Sequence, residues 1–135
     1  MKRNKAVDLS KLQVLNAVND DISMELLSTI ANEPETAEGL IDRLKLSHRQ
    51  YYNRISKLLN CGLVNLNGRK YTITTFGKLI NGVLLKVSKV VGNSWKLKAI
   101  DAINSYKEMT LDERKRVIDQ LIDDIELKKI IHGFG

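Results

Sequence analysis

The residues best equipped for chemistry lie together in one short run, SHRQYYNRISK, from Ser47 to Lys57. Read as a helix, it has one apolar face made by Tyr51, Ile55 and Leu58, spaced by four and three, with Leu59 flanking. Ser47, His48, Arg49, Gln50, Tyr52, Asn53, Ser56 and Lys57 are then left for solvent or a ligand. Of the two adjacent tyrosines only one can point inward, and Tyr51 is assigned to the core. An arginine fork of donors matches the acceptor edge of guanine, and a glutamine or asparagine amide matches adenine. Arg54 and Lys57 suit phosphates, contacts that position a domain without reading sequence. Arg69 and Lys70 form a second group of cations, directly after Asn67-Gly68.

These side chains need a frame, and the neighbouring residues supply its signals. Ser47 is a cap for the helix His48–Asn60, and Leu46 anchors the turn before it. Thr36 caps a shorter preceding helix whose Leu40, Ile41 and Leu44 face inward, with Glu35 and Glu38 near its positive end. A short helix, a tight turn and a longer helix make a helix-turn-helix. Upstream, Asp20-Asp21 opens a helix carrying Ile22, Leu26, Leu27 and Ile30, which ends near Asn32 ahead of Pro34. A further helix is expected from Val7 to Asn19, on Leu9, Leu12, Leu15 and Val18, while Met1 to Lys5 is a basic end. Downstream, Gly62 supplies a left-handed helix stop. Residues 63–66 and 71–74 then alternate like two strands around Asn67-Gly68, a hairpin signal in which both turn residues take positive φ.

Charge is distributed unevenly. The net formal charge is +6, but residues 43–100 hold twelve Lys or Arg and no Asp or Glu. Residues 1–42 hold four basic and eight acidic side chains, and residues 101–135 hold six and eight. A long basic middle without a carboxylate suits a polyanion.

The segment LKLSHRQYYNRISKLLNCGLV, followed by NGRKYTITTFGKLI, resembles the winged helix-turn-helix domains of MarR- and ArsR-type regulators. The small-residue-Gly-Leu-Val step of that pattern is matched by Cys61, Gly62, Leu63 and Val64. Its Tyr-x-Leu-Thr-x-x-Gly wing closure is matched by Tyr71, Ile73, Thr74 and Gly77, with Ile in place of Leu. The QYY run and the WKLKAID stretch, Trp95 to Asp101, are most similar to small archaeal winged-helix regulators. The resemblance spans residues 20–80 well and the rest loosely. It implies a mainly α fold with a small β-hairpin: a winged domain with an N-terminal helix over residues 1–77 and C-terminal helices over 78–135. It also implies double-stranded DNA as partner and transcription regulation as function; a cytoplasmic location is expected from the lone cysteine, Cys61, and from the lack of a leader or bilayer-length apolar run.

After the hairpin, Thr74 or Thr75 caps a helix with Phe76, Ile80, Val83, Val87 and Val90 at heptad-like spacing. Gly92-Asn93 breaks it, and helix resumes through Leu97, Ile100 and Ile103 to about Tyr106. Thr110 and Glu113 form a capping box for a helix from Leu111 to about Asp123, with Val117, Leu121 and Ile122 apolar. Asp123-Asp124 either continues that helix or caps a last one through Ile130 and Ile131, stopped at Gly133. The seam over residues 76–106, with the C-terminal helix, is expected to build a homodimer. A two-fold dimer presents its reading helices to half-sites about 34 Å apart.

Several chemistries are excluded. Cys61, His48 and His132 are too few for the thiol or histidine clusters of a metal sensor. No phosphate loop, nucleophile motif or paired-carboxylate cleft is evident, so neither enzyme activity nor a cofactor is expected. No apolar leader follows Met1, and the run from Leu79 to Val91 carries Lys86 and Lys89 and is too short to span a bilayer. Three functions fit, in order: a sequence-specific dimeric DNA-binding regulator, a winged-helix protein-interaction module, and a weakly selective nucleic-acid-binding architectural protein.

Overall fold

The computed structural model describes residues 9–133. The basic end Met1 to Lys5, and Val7 of the first expected helix, lie outside the described residues. The chain divides into two compact units between Leu85 and Lys86, inside a helix and later than the division expected after Gly77.

The first unit begins with α1 (Lys11–Ala17), whose cap Ser10 makes a reciprocal pair with Gln13. Of α1 and its C-cap only Ala17 and Val18 are buried; Leu12 and Leu15 are exposed. In α2 (Asp21–Asn32), Asp20 caps the free amide of Ser23, and the expected stripe closes on Leu26, Leu27 and Ile30. A strand not anticipated from the sequence follows: β1 (Glu35–Thr36), two residues after Glu33. Thr36 ends β1 and caps α3 (Ala37–Leu44) through the Gly39 amide. Lys45, Leu46 and Ser47 make the turn into α4 (His48–Asn60). Next come β2 (Val64–Asn67), β3 (Lys70–Ile73) and α5 (Thr75–Gly92). The sheet is antiparallel with order β1-β3-β2. α2, α3 and α4, the last two a helix-turn-helix, together with the hairpin wing make this a winged helix-turn-helix fold.

The hairpin differs from expectation by one residue. Asn67 pairs with Lys70, so Gly68 and Arg69 form the loop. Gly68 alone takes positive φ, +63°. A glycine at the first central position is the requirement of a type II′ turn, whereas the expected Asn67-Gly68 turn needs positive φ twice. Arg69 therefore sits in the tip itself and Lys70 in the strand. At the wing base the Thr74 hydroxyl donates to the carbonyls of Gly62 and Leu63 and accepts from the Gly77 amide, so Thr74 is the cap of α5. A side chain at Gly77 would strike the Leu63 carbonyl. The core of this unit gathers Leu26, Leu27, Ile30, Leu40, Tyr51, Ile55, Leu58, Leu63 and Val64, all at most 2% exposed.

The second unit holds the end of α5, α6 (Ser94–Asn104), α7 (Leu111–Leu121) and α8 (Ile125–His132). The break at Gly92-Asn93 and the Thr110–Glu113 capping box are as expected. Asp124 turns out to be the cap of α8, and Gly133 ends it with φ +83°. Its core is small: Ile100, Ile118 and Ile122, with Leu97, Leu121, Leu127 and Ile131 packed around them. Among the described residues no helix is long and apolar enough to cross a membrane.

Candidate nucleic-acid interface

α4 is held from both sides. Inward, Tyr51, Ile55 and Leu58 are at most 2% exposed, and the Tyr51 ring meets Tyr71 of the wing edge-on, centroids 6.5 Å apart. Laterally, Arg54 extends to α2, its Nε donating to both carboxylate oxygens of Asp20 at 3.2 and 3.1 Å. Its guanidinium also donates to the Gln50 carbonyl. Asp20 thus caps α2 and braces α4 at once. Burial pushes its carboxyl up, but the bonds from Ser23 and Arg54 outweigh that and hold it below the ordinary carboxylate value. With its side chain 23% exposed and paired with Asp20, Arg54 braces α4 and is not free, whereas the sequence reading assigns it to phosphates alone.

At the start of α4, Ser47 accepts from the Gln50 amide, and Gln50 Oε1 accepts in return from the Ser47 amide at 3.0 Å. Two of the amides left open by the helix start are closed by this reciprocal box. Ser47 and Gln50, both expected at the ligand face, are engaged in building the helix. Ser56 is also partly engaged, donating to the Tyr52 carbonyl one turn back. His48 stacks on exposed Tyr52, ring centroids 6.3 Å apart and 22° from parallel.

Arg49, Asn53 and Lys57 remain exposed and without an ion pair or side-chain hydrogen bond among the described residues. Stepping about 100° per residue places Arg49 and Asn53 within about 30° of the direction opposite the buried stripe, with Lys57 beside them. The wing contributes Lys70, exposed, and Arg69, whose guanidinium lies 3.9 Å from Glu38 of α3.

The basic middle is less bare in space than along the chain. Acids from the flanking segments reach back into it: Arg43 pairs with Glu33 and Glu35, Arg54 with Asp20 and Arg69 with Glu38. In the second unit Lys86 and Lys89 share Asp124. Among the described residues, five of the twelve cations in residues 43–100 thus have a carboxylate within ion-pair distance, and those without one include Lys45, Arg49, Lys57 and Lys70.

Lys45 is a candidate the residue pattern did not single out. It ends α3 in the left-handed region, φ +54°, where glycine is the usual occupant. Its exposed side chain sits in the turn that leads into α4. The missing glycine at a helix end was the signal available in the sequence. Cys61, by contrast, is buried at the C-cap of α4 with its thiol pushed up by burial, away from the thiolate form.

No protein-family model matches the chain, and no curated protein matches it. Among solved structures, an ArsR-like transcriptional regulator from Rhodococcus sp. RHA1 is similar, with 26% sequence identity and a TM-score of 0.46. That match covers 73% of this chain and 92% of the other, a loose likeness.

Proposed function

We propose that the winged unit binds double-stranded DNA with α4 in the major groove, as a transcription regulator. The observation that carries this reading is the outer face of α4. Arg49, Asn53 and Lys57 stand there free of carboxylates among the described residues, opposite a fully buried stripe and on a helix braced by Arg54 and Asp20. A rigid helix with donors outward suits base edges, and Lys57 and Lys70 suit the backbone beside them. The QYY run and the WKLKAID stretch support a place among small winged-helix regulators of archaeal type.

The homodimer belongs to the same reading. Val83 and Val87 of the α5 seam are 58% and 52% exposed. A groove of about 350 Å³ lined by Leu9, Val14, Leu15, Phe76 and Ile80 adds apolar surface in the first unit. Exposed apolar surface of this extent marks interaction sites.

The test is salt-titrated binding of duplex DNA by the full chain. The DNA reading expects steep salt dependence and a clear preference for some sequences. Arg49→Ala should relax that preference, while Lys57→Ala should weaken all sequences alike and lower the salt slope by about 1. Salt-dependent binding with no preference would instead indicate an architectural protein. The protein-interaction reading draws on Arg69 facing Glu38, which gives the wing tip mixed charge; it expects no DNA binding even at low salt. Val83→Lys with Val87→Lys should convert a dimer to a monomer in light scattering.

A further inference from the structure

The amide side chains on α4 are not equivalent, and the difference bears on which bases the helix reads. Adenine is recognised in the major groove by one planar group that donates to N7 and accepts from the N6 amino group. Gln50 and Asn53 both carry such a group. In Gln50 the oxygen is held at 3.0 Å by the Ser47 backbone amide. A backbone N–H can only donate, so the amide orientation is dictated: oxygen back toward the helix start, nitrogen outward. Gln50 also lies about 70° away from the direction opposite the buried stripe, by about 100° per residue. Asn53 has neither restriction. It is exposed, its amide is unengaged among the described residues, and it lies near the centre of the outer face. Asn60 shares that direction but sits in the last turn, about 10 Å further along the axis at about 1.5 Å per residue. Base edges are reached chiefly from the first turns of such a helix.

We propose that Asn53 is the adenine-reading residue of α4 and that Gln50 acts as its cap. Arg49, one turn earlier on the same line, offers only donors and takes guanine. A rise of about 6 Å between the two spans one or two base-pair steps of about 3.4 Å. The preferred site therefore holds a guanine and an adenine within two base pairs of each other. This inference rests on the DNA reading above.

The experiment selects duplexes from a random-sequence pool with the full-length wild type, Asn53→Ala and Gln50→Glu, and checks folding by thermal unfolding. Glutamate keeps the cap, since a carboxylate oxygen accepts from the same Ser47 amide, but it removes the outward donor. The wild type should enrich a guanine and an adenine within two base pairs. Asn53→Ala should keep the guanine, lose the adenine and bind the wild-type duplex about tenfold more weakly. Gln50→Glu should select the same sequence, with affinity lowered for all duplexes alike. In the selected duplex, replacing that adenine by purine, which lacks the 6-amino group, should cost the wild type about tenfold and Asn53→Ala nothing. This last arm holds with the unaltered protein even if a variant folds poorly. Retention of the adenine by Asn53→Ala, or its loss in Gln50→Glu, overturns the assignment. A wild type that enriches no sequence overturns the DNA reading itself, and the assignment with it.

Discussion

The two units differ in how much apolar surface they bury. The first buries a large apolar set, with Leu26, Leu27, Leu40, Tyr51, Leu58 and Leu63 fully inaccessible, and turns charge outward on α4. Among its described residues the second buries Ile100, Ile118 and Ile122 well and no others. It leaves Val87, Val91 and Trp95 more than half exposed, while Asp124 draws in Lys86 and Lys89. Apolar surface is left bare in both units, Leu79 and Val83 of the first included, and suits contact with another protein surface; cations of α4 that no described carboxylate matches suit a charged polymer. The difference shows that a basic stretch takes its meaning from the acids that fold onto it.

Core truncation tests this contrast with the largest effects. Leu58→Ala, at a site with no exposure, should cost about 3–5 kcal/mol in urea denaturation, and Ile118→Ala about 2 kcal/mol. Equal losses would erase the contrast between the two cores.

A second test uses pH. Hydrogen bonds from Lys86 and the Leu127 amide hold Asp124 down at about 2, from an ordinary value of 3.8. A group whose folded value is depressed stabilises the fold above its unfolded value, and that contribution fades as pH falls through the folded value. Asp124→Asn keeps a good cap but removes the charge. Its α8 amides should exchange faster than those of the wild type at neutral pH, and the gap should close between about pH 4 and pH 2. A gap that persists at pH 2 would show that the ion pair with Lys86 is not what holds this unit's helices.

Smaller effects probe the turn and the wing. Lys45→Gly relieves a left-handed lysine but loosens the unfolded chain, for a net gain of roughly 0.5–1 kcal/mol in thermal unfolding. A loss would mean that the Lys45 stem packs in a way its exposure does not reveal. Smallest of all, Glu38→Gln frees Arg69 and should strengthen duplex binding about twofold, the scale of an exposed ion pair. No change would leave the wing tip outside the interface.

Much of the first unit was legible because its signals are local. Apolar spacing set the buried faces of α2, α3 and α4, and Ser47, Thr36 and Gly62 marked their ends as read. The errors came from partners distant in the chain or from competing local rules. Nothing near Arg54 in sequence announces Asp20, 34 positions away, so its bracing contact is invisible to a local reading. β1 is too short to alternate and forms only because β3 lies beside it. Gln50 was legible after all: Ser47-x-x-Gln50 obeys the same capping rule that identified Thr110 and Glu113. The hairpin slipped by one residue because Gly68 serves equally well in a turn that needs positive φ only once.

Asp20 carries a consequence for anyone who would redirect this surface. Transplanting the segment from Ser47 to Asn60 into another scaffold leaves Arg54 without its anchor, and the graft's outward side chains lose their aim even if every one of them is copied. Retargeting should instead change Arg49 and Asn53 in place, with the carboxylate two helices upstream left alone.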